Sequence, residues 1–351
     1  MRKLVALAIL AVAFAAQADS VTNEVIVSST QATDANPRSG VFTDALNAAF
    51  DVGEDWTISA GAMLTLQGAT PAGTRAQFGE SGSAVTLFTG GLDWSATDHL
   101  TLGATLELSP KSTQYAGTTI PLLLSGTIVT PEAQLRSQTS EVGGGLDVSW
   151  DSFGESDLEW SFDAGIGFSH YNVDQGISAV RTTLDAQQLQ QAALAYCNAF
   201  PRSRACARGL LQPVTLDFER FSGGATARLF RDTDVSLLFD WYLYNQDPAD
   251  VGFGSQAFLG RGAGLPIAPL QYLVRPEVLH RFGDFSAKLW GQAGEYASGT
   301  GQGTAGLGAR LQYKFTKAFR AWLMASGQRD VDADGRVTRS GTISAGAGYR
   351  W

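Results

Sequence analysis

The chain consists mainly of short segments in which apolar and polar side chains alternate. In residues 158–168, Trp160 and Phe162 share one parity. Glu159 and Asp163 share the other. A β-strand points successive side chains to opposite faces, so each segment predicts a strand with one apolar and one polar face. Fourteen segments carry this pattern, namely 21–30, 41–51, 56–66, 84–94, 99–109, 138–150, 158–168, 213–230, 234–245, 270–282, 285–296, 303–315, 318–327 and 338–351.

The connections between these segments alternate strictly between short and long. An antiparallel up-and-down barrel, with short periplasmic turns and longer extracellular loops, predicts this order. Runs of about ten residues suffice to cross a membrane as strands. The sequence therefore predicts an all-β transmembrane barrel of about fourteen strands. The short connections are 52–55, 95–98, 151–157, 231–233, 283–284 and 316–317, and the long ones are 31–40, 67–83, 110–137, 169–212, 246–269, 297–302 and 328–337.

The alternation is imperfect in two kinds of place. It slips within 84–94 and within 219–221, where we expect β-bulges. The first two segments are the weakest, because the first is short and Asp44 lies on the apolar parity of the second. A barrel of twelve strands is therefore the alternative.

Aromatic residues gather beside the short turns, at one end of the predicted barrel. Amphipathic rings prefer the headgroup level of a bilayer, so such a girdle marks a membrane interface. The core aromatic residues of a soluble sandwich would instead be spread along the strands. The girdle comprises Phe50, Trp56, Trp94, Trp150, Trp160, Phe230, Phe282, Phe285, Phe315, Phe319 and Trp351.

The last segment, 338–351, has one apolar and one polar face and finishes on Trp351. It resembles the closing strand of bacterial outer-membrane β-barrel proteins, which ends on Phe or Trp and acts as an assembly signal. The resemblance implies recognition by the barrel-assembly machinery and residence in a Gram-negative outer membrane, among lipid and lipopolysaccharide. It covers the architecture of the whole mature chain, without a motif specific to one subfamily. Monomer and homo-oligomer both stay open.

Residues 1–18 predict a secretory signal peptide. Arg2 and Lys3 precede an apolar run, residues 4–16, that is too short to cross a bilayer as a helix. The small residues around Gln17 predict cleavage after Ala18, which removes two positive charges from a chain of net charge −9. Residues 19–351 then form a single barrel domain, exported through the periplasm.

The polar parity, which would line the barrel, separates by charge along the chain. Because the strands follow one another around a barrel, we expect an acidic wall facing a basic wall. This arrangement resembles the transverse field of general diffusion porins, in which opposed charges orient polar solutes. The alternative is that the two walls pair with each other and plug the lumen. The acidic set is Glu107, Glu141, Asp147, Glu159, Asp163, Asp217 and Asp240, and the basic set is Arg275, Arg281, Lys288, Arg310, Lys314, Arg320 and Arg350.

Other residues on the lumen parity bear on how open the pore is. Many are glycines, Gly308 and Gly346 among them, whose missing side chains favour free volume inside the barrel. An aromatic track for saccharides is a further hypothesis, based on Tyr242, Tyr244, Trp290, Trp322 and Met324.

The longest connection, 169–212, predicts structure of its own. Residues 183–196 suit a helix with a loosely apolar side. The only two cysteines, Cys197 and Cys206, predict a local disulfide bond in an exported protein. The segment either narrows the mouth of the pore or caps the outer surface.

Little in the sequence indicates catalysis or metal binding. His170, with Asp163 and Asp174 nearby, is the sole candidate for a catalytic group, and no second motif supports it. Residues 330–335, from Asp330 through Asp334 to a glycine, resemble the start of a calcium loop without its closing glutamate. We therefore predict no enzyme activity, no catalytic or metal residue, no cofactor and no nucleic-acid partner.

We interpret the chain as a porin-like channel for passive diffusion of small polar or charged solutes. One alternative resembles the fatty-acid transport family, a transporter of hydrophobic compounds in which residues 19–40 would form an N-terminal hatch. That alternative predicts an apolar binding pocket inside the barrel. Another alternative is a closed barrel that acts as a surface scaffold or adhesin through loops 110–137 and 169–212.

Overall fold

The computed structural model describes residues 19–32, 39–67, 83–152, 158–201, 214–246, 270–297, 301–332, 335 and 337–351. Fourteen antiparallel strands close into a barrel, and the first strand pairs with the last. A small hairpin, β6 (Leu122–Leu124) and β7 (Thr127–Val129), and one helix, α1 (Ala186–Ala199), lie outside this wall. The wall strands are β1 (Ser20–Ala32), β2 (Ser39–Val52), β3 (Trp56–Gln67), β4 (Ser83–Thr97), β5 (Leu100–Thr119), β8 (Glu132–Asp151), β9 (Leu158–Val180), β10 (Val214–Leu229), β11 (Thr233–Tyr244), β12 (Leu270–Phe282), β13 (Phe285–Tyr296), β14 (Gly301–Lys314), β15 (Phe319–Asp332) and β16 (Val337–Arg350).

All fourteen predicted strands are present, which confirms the predicted fold class. Several strands continue beyond their predicted ends on the side of the long connections. The β5–β8 ladder runs out to the pair Thr119 and Glu132, so most of the predicted loop 110–137 is strand. That part of the prediction was wrong because backbone pairing continues beyond the apolar band, where the sequence no longer alternates between apolar and polar residues.

The two weakest segments close the barrel. β1 pairs with β16 from Ser20 to Ala32 and with β2 on its other side. On the outer face, the Asn23 amide donates a hydrogen bond to Asp44 over 2.8 Å. The twelve-strand alternative is therefore wrong, and residues 20–32 form wall where the fatty-acid-type alternative expected a hatch. Residues 33–38 lie outside the described part of the chain.

The predicted bulges are absent from the places where the alternation slips. β10 pairs with β9 in one unbroken register from Val214 to Leu229. β4 likewise pairs with β3 without a shift from Ser83 to Trp94. Both predictions were wrong because they assumed a polar lumen throughout. The structure keeps the ladders intact and turns apolar side chains inward instead.

The outer face of the barrel is apolar. Leu106, Leu146 and Leu307 are 70%, 63% and 74% exposed. The apolar residues of the regularly alternating segments therefore point away from the interior of the barrel. The predicted girdle also forms: rings of neighbouring strands pair beside the short turns, with Trp56 and Trp94 stacked at 5.7 Å. An outward apolar band edged by aromatic rings is what a transmembrane barrel presents to lipid.

Helix α1 begins with a capping box. Asp185 accepts a hydrogen bond from the Gln188 backbone over 2.8 Å, and the Gln188 side chain accepts one from the Asp185 backbone over 3.1 Å. The helix packs through Ala192 and Ala193 on the β6–β7 hairpin, where Leu122 is completely buried. The helix prediction is confirmed three residues later than expected. No helix in the described part of the chain is long and apolar enough to cross a membrane.

Candidate functional site

A cluster of apolar side chains lies inside the barrel, on the inward faces of β9, β10 and β11. The Phe218 ring stacks on Tyr171 with 5.8 Å between centroids and meets Tyr242 edge-on at 5.8 Å. Tyr244 lies 5.6 Å from the same ring. Offset and edge-to-face ring pairs of this kind add stability beyond area burial. This aromatic cluster consists of Tyr171, Val173, Leu216, Phe218, Tyr242 and Tyr244.

The unbroken register of β10 places the cluster. Leu216 and Phe218 alternate with residues that face outward, and both are buried in the lumen. Asp217, predicted for the acidic wall, lies on the outer face instead and pairs with His170. It also accepts a hydrogen bond from the Asn245 amide over 2.7 Å. The assignment of Asp217 was wrong because it depended on the absent bulge.

The lumen is also apolar at β4. Val85 and Leu87 are buried on the inward parity, at the other place where the alternation slips. Beside them, the Thr43 and Thr65 hydroxyls share a hydrogen bond of 2.9 Å and so satisfy each other. In this segment of the sequence, apolar residues occupy the positions that should be polar. That irregularity was the signal for inward apolar residues, and it was misinterpreted as a bulge.

Below the aromatic cluster, toward the short turns, lies a cavity of about 330 Å³. Five successive wall strands each contribute one charged side chain to it. Arg220 comes two residues after Phe218 on the same face of β10 and lies opposite Tyr242, so the cavity adjoins the aromatic cluster. The charged residues of this mixed-charge cavity are Asp147, Asp163, Arg220, Asp240 and Arg275.

Closer to the short turns, the lumen charges form ion pairs within the wall. Arg228 lies 2.9 Å from Asp234 and 3.5 Å from Glu159, and Arg281 binds the same Asp234. These four residues belong to the adjacent strands β9 to β12. Their two positive and two negative charges cancel locally, since opposite charges at such distances stabilise one another in a partly desolvated site.

A second set of pairs centres on Glu277. Its carboxylate lies 2.8 Å from Arg275 and also binds Lys288 of the next strand. Glu277 itself is buried, whereas both cations are partly exposed. Both sets of pairs join neighbouring strands along the wall and do not reach across the lumen.

The remaining predicted wall residues have varied surroundings. Glu141 is buried and lies opposite Tyr171 in the β8–β9 register. Arg310 lies over the Trp322 ring at 4.5 Å from its centroid and donates a hydrogen bond to Gln312 over 3.3 Å. Arg350 of β16 lies at the short-turn end, 3.4 Å from Asp51 of β2. Glu107, Lys314 and Arg320 are also among the inward charges that make no ion pair with a described residue.

The inward glycines do not leave free volume as expected. A Cβ on Gly308 would overlap the Trp290 ring, and one on Gly346 would overlap Trp322. Each indole lies flat against the backbone of the next strand, where only glycine leaves room. The prediction of an open lumen from its glycines was therefore wrong at these positions, because cross-strand side chains occupy the space.

Other candidate chemistry either lies elsewhere or falls outside the described residues. Asp330 faces the lumen and accepts hydrogen bonds from Tyr296 over 2.6 Å and Gln328 over 2.7 Å. Residues 333, 334 and 336 of the calcium-like segment are not among those described. Cys197 lies in α1 and Cys206 outside the described residues, so their disulfide bond stays a prediction. In the described part of the chain, no three His, Cys, Asp or Glu residues could hold a metal ion.

No protein-family model matches the chain, and no curated protein sequence is similar to it. Solved structures do resemble it. The CymD monoaromatic hydrocarbon channel shares 10% identity at a TM-score of 0.56, with 95% of this chain and 88% of that chain covered. The Ralstonia pickettii toluene transporter TbuX shares 12% identity at a TM-score of 0.51, with 95% of this chain and 88% of that chain covered. The Pseudomonas putida toluene transporter TodX shares 12% identity at a TM-score of 0.50, with 94% of this chain and 88% of that chain covered.

At such low identity, the likeness establishes the fold alone. It agrees with the closed fourteen-strand barrel, and the chain has the architecture of a Gram-negative outer-membrane β-barrel protein. These three similar structures are described as a channel and two transporters.

Proposed function

We propose that the protein is an outer-membrane channel for small hydrophobic compounds, with the aromatic cluster as the binding site on their path. The single observation that carries this proposal is the inward placement of Leu216 and Phe218 by the unbroken register of β10. This placement lines part of the lumen with apolar side chains, which is the kind of lining that the hydrophobic-transporter alternative predicts. It therefore favours that alternative over a porin for polar solutes.

The physical role of the cluster is to replace water around an apolar solute. Ligand sites for small molecules are concave and lined mainly by apolar and aromatic side chains, with a few polar groups for orientation. Phe218 and Tyr171 supply ring faces, and the hydroxyl of Tyr244 is already bound to the Leu270 carbonyl over 2.7 Å. A flat apolar solute gains ring contacts there without leaving that hydroxyl unsatisfied.

The ion pairs support the same proposal. A transverse field needs charges of opposite sign on facing walls, and its strength falls when each charge is neutralised by a neighbour. Asp234 and Glu277 each bind two cations of adjacent strands. Passage in this scheme is passive, follows the gradient of the solute and uses no cofactor.

The similar structures point the same way. CymD is described as a monoaromatic hydrocarbon channel, and TodX and TbuX as toluene transporters. Their likeness to this chain supports the proposal at the level of the fold.

Phe218→Ala tests the proposal, with Phe221→Ala as the matched control. Both residues lie on β10, but Phe218 faces the lumen and Phe221 is exposed on the outer face. Binding of toluene to the purified full-length protein in detergent is measured calorimetrically, and toluene uptake is measured in cells that express each form. We expect Phe218→Ala to weaken binding about tenfold, since an aromatic contact contributes on the order of 1 kcal/mol beyond its buried area.

Phe221→Ala should bind toluene like the unaltered protein. Equal effects of the two substitutions, or no measurable toluene binding by the unaltered protein, would contradict the proposal. Steady single-channel conductance with selectivity for charged solutes would favour the polar porin instead.

A further inference from the structure

We propose that the lumen also binds and passes a zwitterion that carries an aromatic ring, the chemical class of the aromatic α-amino acids. The ring lies in the aromatic cluster, and the charged head lies in the mixed-charge cavity. This inference extends the proposed function to a second class of solute and rests on it only in placing the aromatic cluster on the permeation path.

The two sites are contiguous and ordered along the barrel. Phe218, Arg220 and Ser222 follow one another on the inward face of β10, from the aromatic cluster into the cavity. On β11, Tyr242 and Asp240 run in parallel with them. A ligand whose ring lies on Phe218 therefore has its next few atoms beside Arg220 and Asp240.

Four of the five charges of the cavity differ from those below it, and the exception is Arg275, which pairs with Glu277. Asp234 and Glu277 are saturated by ion pairs, as described above. Asp147, Asp163 and Asp240 make no ion pair within 4 Å of any described residue, and neither does Arg220. Asp240 interacts with Arg220 and Arg275 only at longer range. Carboxylates that line a concave site without a close cation are suited to bind a ligand of opposite charge. The Arg220 guanidinium has the Tyr242 hydroxyl of the aromatic cluster as a hydrogen-bond partner.

The cavity contains both acidic and basic side chains, which favours a ligand head group that carries both a positive and a negative charge. An ammonium group fits the three carboxylates contributed by β8, β9 and β11, and a carboxylate fits the Arg220 guanidinium beside the ring site. Gly224 of β10 leaves room for the Leu238 side chain, which would lie 2.8 Å from a Cβ at that position, and the Asp163 carboxylate would lie 3.5 Å from it. A cavity of about 330 Å³ accommodates such a head group but not a large amphiphile.

Three probes test the aromatic cluster and the mixed-charge cavity separately. L-phenylalanine carries an aromatic ring and both charges, L-alanine carries the charges only, and toluene carries the ring only. Equilibrium binding of each is measured on the full-length protein in detergent, and uptake of labelled L-phenylalanine into proteoliposomes follows. Asp240→Asn and Arg220→Gln each remove one charge from the cavity. Glu107→Gln is the matched control, because Glu107 faces the lumen outside the cavity and has no ion pair with a described residue.

We expect the unaltered protein to bind L-phenylalanine at least about tenfold more tightly than L-alanine, since only the former uses the aromatic cluster. Asp240→Asn and Arg220→Gln should each weaken L-phenylalanine binding about tenfold or more, because a hydrogen bond to a charged group is lost. Toluene binding should be unaffected by either substitution. Glu107→Gln should leave all three probes unchanged, and heat-modifiable migration in gels verifies that each variant is folded.

Equal affinity for L-phenylalanine and L-alanine would overturn the inference, as would L-phenylalanine binding that is insensitive to both cavity substitutions. Its failure is distinguishable from failure of the proposed function. Toluene binding without L-phenylalanine binding refutes only the zwitterion, whereas L-phenylalanine binding and uptake without toluene binding refutes only the hydrophobic channel.

Discussion

The ion-pair group around Asp234 provides the sharpest test of how the barrel is stabilised. Asp234 binds Arg228 and Arg281 from the strands on either side, and Glu159 lies 3.5 Å from Arg228. Asp234→Asn keeps the shape of the side chain and removes its charge, so the group changes from neutral to a net charge of +1. Both guanidinium groups then lose their shared carboxylate, while Glu159 still lies 3.5 Å from Arg228.

The expected magnitude follows from the contacts and their exposure. A hydrogen bond to a charged group contributes about 1.5–3 kcal/mol, and removing one partner of a buried pair costs about 3–5 kcal/mol. The Asp234 side chain is 11% exposed, but those of Arg228 and Arg281 are 23% and 31% exposed, so water screens part of the loss. We therefore expect Asp234→Asn to lower the free energy of unfolding by about 2–3 kcal/mol.

The assay is reversible urea unfolding from lipid vesicles, followed by tryptophan fluorescence. Asp147→Asn is the control, since Asp147 is a lumen carboxylate without a close ion pair, and it should change stability by less than about 0.5 kcal/mol. In the double variant with Arg228→Gln, neutrality returns, so the combined loss should be smaller than the sum of the single losses. Equal effects of Asp234→Asn and Asp147→Asn would refute the reasoning, because the ion pairs would then contribute nothing measurable.

Three further predictions concern packing and turns. Gly308→Ala should force the Trp290 ring off the wall and lower stability by about 1–3 kcal/mol, whereas Gly90→Ala, where a Cβ meets nothing within 4 Å, should be close to neutral. Paired unfolding curves decide this, and equal losses would contradict it. Gly283 is a turn residue with φ of +63°, where a Cβ is strained, so Gly283→Ala should lower the free energy of unfolding by about 1 kcal/mol in the same assay. An unchanged midpoint of unfolding would be inconsistent with that conformation. Leu122→Asp should release α1 from the β6–β7 hairpin and speed hydrogen exchange across residues 186–199 without affecting the wall strands. Unchanged protection of the helix amides would show that Leu122 does not hold α1 in place.

The sequence alone determined the wall of the barrel. The number of strands, their order and their outward faces follow from two patterns. One is the alternation of apolar and polar residues, as around Trp160, and the other is the regular alternation of short and long connections. These features are local: parity follows from backbone geometry, and turn length limits which strands are neighbours. The Gly283-Asp284 turn was predicted for the same reason, and the girdle near Trp56 was predicted from the preference of aromatic rings for the bilayer interface.

The lumen was decided by the tertiary structure. Asp217 and Phe218 differ by one position, and a single inserted residue exchanges their faces. From the sequence, a bulge and an apolar lumen explain the same lapse in alternation equally well. Only the ladder of β10 with both of its neighbours decides between them, because a bulge gives up backbone hydrogen bonds whereas the intact register keeps them.

The partners of the inward charges also required the closed barrel. Glu277 binds cations on its own strand and the next, and Asp234 joins three strands. The sign of each charge and the face on which it lies follow from the sequence. Which residues of neighbouring strands lie side by side depends on the stagger between those strands, which does not follow from the sequence. Stagger depends on how all fourteen strands close on one another, since the tilt and shear of a barrel are properties of the whole sheet. For that reason the outward residues of this protein can be predicted from the sequence, whereas the contacts of its inward residues depend on the closed barrel.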